Sequence, residues 1–270
     1  MKPSKLLIGL VPLLLSGCAA LEQIVPFQAP VHLGRVRSAQ PPADVRPKTK
    51  VADQPQPQSS ALAARTPGST LPVWTVPSPK PSKVLDSTLT ASQLFDKVSP
   101  SVYAVMVIGQ VTKQVKSQGS AVAVSPKEAI TNCHVVAGAQ RVMLSNATGS
   151  HSAAVISADP SKDRCYLRVL DGEFVPVLGF RDYTTLAVGE VVFTIGSPKG
   201  LVNTLSHGLL SGLRKSDNDA DYIQISAPVS EGSSGGGVFD DRGNLIGVIT
   251  FTIPNSQNLN FALAASQFWR

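Results

Sequence analysis

Glu231-Gly232-Ser233-Ser234-Gly235-Gly236-Gly237, running on into the apolar pair Val238-Phe239, is the sharpest local signal in the sequence. Glycines at this density allow backbone conformations that side chains forbid, and they let amide N–H groups approach a bound molecule closely. A serine among such donors is what an oxyanion hole needs. A Gly/Ser-rich hairpin loop has the same composition, so the stretch alone leaves both readings open. Outward from it lie short apolar or alternating runs separated by Gly, Asp, Asn and Ser. They are Val102–Ile108, Ser120–Val124, Ala153–Ser157, Val191–Ile195, Thr204–Leu210, Tyr222–Ile225 and Leu245–Phe251. Many short strands with turn signals between them predict an all-β barrel or sandwich. Short helices are expected only at Ala91–Val98 and Ala265–Trp269.

A reactive serine needs a base, and the chain has four histidines. His32 lies in a Pro-rich region, and His151 and His207 sit in polar or strand contexts that suit surface or wall positions. His134 follows Ala129-Ile130-Thr131-Asn132-Cys133 and precedes Val135-Val136-Ala137-Gly138, a strand end running into a turn. It is the best candidate for the base. An acid should fix the tautomer of that imidazole and stabilise its charged form. Asp163 opens Asp163-Arg164-Cys165-Tyr166-Leu167-Arg168-Val169, at the mouth of an otherwise apolar strand. Asp159 ranks behind it, because Pro160 marks a turn.

Of the 270 residues 21 are proline, and 12 of these fall between Pro26 and Pro81, a density no packed domain tolerates. Charge divides the same way: the net +6 is +2 over residues 1–18, +4 over 19–90 and zero over 91–270. The neutral folded part disfavours a nucleic-acid partner. Lys2 and Lys5 precede an apolar run from Leu6 to Leu15 that is too short to span a bilayer, so residues 1–17 read as an export signal. Residues 18–90 read as a disordered Pro-rich tether with a root-mean-square span of roughly 50 Å, and residues 91–270 as the folded domain.

Leu15-Ser16-Gly17-Cys18 resembles the bacterial lipobox, in which the cysteine becomes the acylated N-terminus. That resemblance implies lipidation at Cys18 and a membrane-anchored protein facing the periplasm. With Ala19 after the cysteine, the outer membrane is the expected address. Five segments carry a second resemblance: Gly119-Ser120-Ala121-Val122, Ile130-Thr131-Asn132-Cys133-His134-Val135-Val136, Asp163-Arg164-Cys165-Tyr166-Leu167, Ile195-Gly196-Ser197-Pro198 and Gly232-Ser233-Ser234-Gly235-Gly236. In the order His, Asp, Ser, they resemble the chymotrypsin-fold serine peptidases, most closely the bacterial HtrA/Deg-like branch.

The resemblance implies an all-β fold of two six-stranded antiparallel barrels with the site in the cleft between them. It implies Ser234 as nucleophile, His134 as base and Asp163 as orienting acid, with the N–H groups of Gly232 and Ser234 as the oxyanion hole. Protein or peptide substrates are implied, and no cofactor or metal. Aligned on the serine loop, the specificity pocket falls at Pro228 and Val229, with Thr250, Thr252 and Leu259 as walls. None of these is acidic, so cleavage is expected after small or aliphatic residues and not after Lys or Arg. Ser233 stands where the branch usually has Asn, and Arg164 where it usually has Leu. Six residues follow Ala264, so no PDZ domain is expected.

A silent scaffold that binds exposed peptides is the competing reading, favoured if the loop around Ser233 is collapsed. The acidic run Asp217-Asn218-Asp219-Ala220-Asp221 lacks the glycine and distal glutamate of a calcium loop. With Cys18 assigned to lipid, Cys133 and Cys165 remain as a pair. If His134 and Asp163 are hydrogen-bonded, those cysteines come close enough for a disulfide, the alternative being two buried thiols.

Overall fold

The computed structural model describes residues 72–76, 80–108, 115–139, 141–253 and 258–270. The export signal, Cys18, His32 and the tether as far as residue 71 lie outside the described residues.

Among the described residues, thirteen strands follow one short α-helix, α1 (Ala91–Val98). The first six are β1 (Val102–Ile108), β2 (Val115–Ala123), β3 (Glu128–Thr131), β4 (Arg141–Asn146), β5 (Gly149–Asp159) and β6 (Arg164–Val169). They close into a barrel in the order β1-β2-β3-β6-β5-β4. Next come β7 (Gly179–Phe180), β8 (Val191–Gly196), β9 (Thr204–Lys215), β10 (Asp221–Ile225), β11 (Gly237–Asp240), β12 (Asn244–Thr252) and β13 (Asn260–Ala264). Strands β8 to β13 form the second six-stranded barrel, which the β11–β12 pairing closes. Strand β7 adds to β12 as a parallel pair at Asn244 and Leu245. The fold is therefore the expected pair of six-stranded antiparallel barrels, the trypsin fold, with β7 as an addition.

The apolar runs are continuous because most of these strands are buried on both faces. In β1, Tyr103, Val105 and Val107 fill the first barrel, whereas Val102 faces the second. In β8 and β11, Val192 and Val238 fill the second barrel, and Phe193, Ile195 and Phe239 face back toward the first. Alternation thus sorts side chains among three buried layers, one inside each barrel and one between them.

Packed chain begins before residue 91. Leu85 is buried, its N–H donates to Asn244 Oδ1 at 2.7 Å, and Asn244 Nδ2 donates to the Leu85 carbonyl at 2.9 Å. The side-chain amide of Asn244 thereby pairs with the segment much as a neighbouring strand would. Leu89 N–H donates to the Asp241 carbonyl, and Thr90 caps α1 through a reciprocal bond with Gln93. Further back, Val73 makes a parallel bridge with Ala158, and Thr75 N–H donates to Ser157 Oγ at 2.6 Å. We call residues 72–76 and 80–90 the strap. Its composition is that of a linker, and its anchors are single residues whose partners lie far along the chain.

Candidate active site

Strands β3 and β6 pair with Thr131 opposite Cys165, so the turn leaving β3 meets the turn entering β6. The first turn carries His134 and the second carries Asp163. His134 Nδ1 lies 2.7 Å from Asp163 Oδ2, and the His134 backbone N–H donates to Oδ1 at 2.9 Å. The carbonyl of Asp163 accepts from Asn132 Nδ2 at 3.1 Å and from Cys133 N–H at 3.4 Å. These bonds hold Asp163 at φ 53°, a left-handed conformation that aspartate tolerates at a cost of roughly 1 kcal/mol. Cys133 and Cys165 form a disulfide with Cα atoms 5.0 Å apart, which ties the two turns together covalently.

Asp159, the lower-ranked acid, has a different engagement. Burial raises its pKa, but hydrogen bonds from Ser161 and Arg164, and the charge of Arg164, outweigh that and hold it below the usual carboxylate range. His151 lies against Phe174 and Tyr103, with Nδ1 at 3.0 Å from the Asp171 carbonyl. His207 packs against Phe193 on β9. Neither is brought to the serine loop. Asp221, at the end of the acidic run, points inward and accepts from Gln267 and Arg270.

Ser234 comes from the second barrel, on a loop bound at each peptide. The Glu231 carbonyl accepts from Lys199 N–H at 3.0 Å, and the Ser233 carbonyl from Gly236 N–H at 2.8 Å. In a trans peptide the N–H points opposite the C=O, so the Gly232 and Ser234 N–H groups are turned the other way. Among the described residues neither has a hydrogen-bond acceptor. Gly232 is at φ +92° and Gly235 at φ +86°. A Cβ on Gly235 would come within 1.8 Å of the Ser120 carbonyl oxygen. Only glycine fits there.

Ser120 on β2 is the clamp that sequence reasoning missed. Its N–H donates to the Ser234 carbonyl at 2.7 Å, and its hydroxyl donates to the Gly232 carbonyl at 2.9 Å while accepting from Ser197 N–H at 2.9 Å. Its own carbonyl accepts from Thr131 Oγ1. The available signal was its place in the Gly119-Ser120 segment, which carried no chemistry of its own. Asn132 was missed in the same way. Besides holding Asp163, it donates to Thr250 Oγ1 at 3.1 Å, and the Thr250 carbonyl accepts from Ser234 Oγ at 3.2 Å. Among the described residues no hydrogen bond joins Ser234 to His134.

Of the expected specificity residues, Pro228 and Val229 line a cavity of about 100 Å³ behind the serine loop, together with Ser233 and Ile249. Thr250, Thr252 and Leu259 are not in its lining. Thr250 is buried with its hydroxyl committed to the Val248 carbonyl, and Thr252 is exposed. Ser233, the departure expected to disturb the loop, is buried, and its N–H is bound to the Ser230 carbonyl at 2.9 Å.

One barrel of this trypsin fold carries a histidine and an aspartate, and the other a serine on a glycine loop. Residues 119–248 match the family model of the trypsin-like peptidase domain. The chain's homologues are HtrA/DegP-like serine proteases. A probable periplasmic serine endoprotease DegP-like of Pseudomonas fluorescens is 33% identical over 145 residues, covering 52% of this chain and 30% of its own length. The chloroplastic protease Do-like 1 of Arabidopsis thaliana is 39% identical over 134 residues, covering 45% of this chain and 30% of its own length. Among solved structures, the HtrA-type protease AlgW with tripeptide superposes with a TM-score of 0.61 at 27% identity, covering 67% of this chain and 62% of that one. The chain spans a third to a half of the length of the first curated relatives it matches.

Proposed function

We propose that this chain is a membrane-tethered periplasmic serine endopeptidase with Ser234 as nucleophile, His134 as general base and then acid, and Asp163 as the orienting acid. The observation that carries the reading is the pairing of the 2.7 Å His134–Asp163 contact with a serine loop whose Gly232 and Ser234 N–H groups have no acceptor among the described residues. In this reading the Ser234 hydroxyl leaves the Thr250 carbonyl for the imidazole, a contact of the kind that commonly tightens only with substrate bound. Ser234 Oγ attacks the scissile carbonyl as His134 takes its proton, with Asp163 holding the other ring nitrogen. The oxyanion accepts from the two N–H groups, each worth roughly 3–4 kcal/mol to the transition state. Collapse breaks the peptide C–N bond while His134 gives its proton to the leaving amine. Water, activated by the same histidine, then hydrolyses the acyl-enzyme.

Protein or peptide substrates follow from the homologues, which are named as proteases. Cleavage after small or aliphatic residues is the reading for Pro228, Val229, Thr250, Thr252 and Leu259, none of which offers a negative charge to a buried cation. The Cys18 lipobox supports an acyl anchor, each buried methylene contributing about 0.8 kcal/mol, and Ala19 supports the outer membrane. A silent scaffold expects the loop around Ser233 to be closed, and the outward N–H groups speak against it.

The test treats the full chain with a fluorophosphonate probe beside its Ser234→Ala variant. Labelling of the unaltered chain alone, with cleavage of an unfolded protein substrate that the variant lacks, is expected. Equal labelling of both, or of neither, overturns the hydrolase reading.

A further inference from the structure

Arg164, which follows Asp163 and departs from the usual leucine, is only 4% exposed, so its charge must be met inside the protein. Three chain segments meet it. Its Nε donates to Asp159 Oδ2 at 3.0 Å, across the pair that closes the β5–β6 turn. Its Nη1 donates to the carbonyls of Gln267 and of Arg270, the latter at 2.9 Å. Its guanidinium lies 4.1 Å from the ring centroid of Trp74, in the strap, within the range of a cation–π contact. Trp74 is itself held: its ring meets Tyr166 at 5.4 Å, and its Nε1 donates to the Arg270 carbonyl at 3.3 Å. On either side of it, Ser157 Oγ binds Thr75 and Val73 pairs with Ala158.

The turn from Asp159 to Arg164 is the one that presents Asp163, and Asp163 sits in it with left-handed backbone that its surroundings must enforce. From the His134 side, Asn132, Cys133 and the His134 amide hold it. From the other side, the fixed point is the Arg164 head group, and the lid on that head group is Trp74. With the ring removed, water reaches the guanidinium and the Arg164–Asp159 clamp loosens.

We infer that Trp74 and Arg164 are positioning residues for Asp163, so that the strap, which lies outside the matched residues 119–248, takes part in holding the acid of the triad. This rests on the proposed role of Asp163.

The experiment measures both the rate constant and the final amplitude of fluorophosphonate labelling at Ser234 in the full chain, for Trp74→Ala, Trp74→Leu, Trp74→Phe, Arg164→Leu and the double variant Trp74→Ala/Arg164→Leu. A positioning role lowers the rate constant in Trp74→Ala and Trp74→Leu by about tenfold, within the roughly 100-fold that a 1 Å misplacement costs, while the amplitude stays full. Trp74→Phe keeps a ring over the guanidinium and stays close to the unaltered rate. The double variant is no slower than Arg164→Leu, because the strap acts through Arg164. Unchanged rates in both Trp74→Ala and Trp74→Leu, or a lowered amplitude at an unchanged rate, overturn the inference and leave the triad standing. Absence of Ser234 labelling in the unaltered chain overturns the triad and the inference together.

Discussion

At Ser120 a single residue fixes the direction of two carbonyls in the loop that carries Ser234. Replacing it with alanine leaves the Gly232 carbonyl and the Ser197 N–H without their buried partner, at a cost of about 1–3 kcal/mol, and frees the Gly232–Ser233 peptide, which lies between the peptides carrying the Gly232 and Ser234 N–H groups, to turn. The expected kinetic result for Ser120→Ala is a kcat lowered ten- to 100-fold with KM little changed, since a lost oxyanion donor costs roughly 100- to 1,000-fold and here the donor is only loosened. Steady-state assays on a peptide substrate check it. Gly235→Ala is the harsher change, because its Cβ meets the Ser120 carbonyl at 1.8 Å. It should lose activity and lower the melting temperature together. At Asp159 the sign of a pH effect follows from its lowered pKa. A carboxyl held lower in the folded than in the unfolded chain contributes stability above its unfolded value, near 3.9, and loses it as pH falls through the folded value. Denaturation followed below about pH 4 should therefore show a shallower acid dependence for Asp159→Asn. At pH 7 that variant should already be less stable, because it leaves a buried Arg164 without its carboxylate.

Among the elements, the part of the strap around Leu85 depends on one apolar plug and one amide. Leu85→Ala should cost about 2–3 kcal/mol in chemical denaturation, the low end of the roughly 2–5 kcal/mol for emptying a buried leucine site, because Leu85 lies at the edge of the core. Asn244→Ala should cost a similar amount by leaving both backbone groups of Leu85 unpaired. Both variants are expected to loosen the strap before they disturb either barrel, which hydrogen exchange at Lys83 to Leu89 would register. The strap was not legible in the sequence, since its anchor to Asn244 spans 159 positions and its composition is that of a linker. Strands β1, β8 and β12 were legible because burial on both faces makes them largely apolar runs, and β10 because Tyr222, Ile223 and Ile225 stand together. Strand β4, Arg141-Val142-Met143-Leu144-Ser145-Asn146, was not singled out, because it buries chiefly Val142 and Leu144 and so has half of that signal. In the candidate site, His134, Asp163 and Ser234 were legible from their neighbours in sequence. The hydroxyl of Ser120, the amide of Asn132 and the ring of Trp74 act across the fold and leave no local pattern.

For the molecule as a whole, the layer between the barrels makes two cores one cooperative unit. Val102, Val122 and Ile130 from one side pack in the same cluster as Phe193, Ile195 and Phe239 from the other. Phe239→Ala should cost about 3–5 kcal/mol and lower the stability of both barrels in a single transition. The Cys133–Cys165 bridge, with a sequence separation of 32, is expected to contribute about 3–4 kcal/mol in the chain-entropy picture. Thiol titration of the unfolded, unreduced domain should find neither cysteine free, and both after reduction. The strap also has a mechanical meaning. Because Val73 to Thr75, then Lys80 and Lys83, and then Leu85 are each bound to the barrels, tension applied at residue 72 is borne by several fasteners in series. Pulled from that end, the chain should yield first at Val73 to Thr75. It should lengthen by less than the roughly 45 Å extended length of the stretch from Val73 to Leu85, and stop there until a larger force opens the barrels. The tether would then act as a shock absorber, with Trp74 on the part that gives way first.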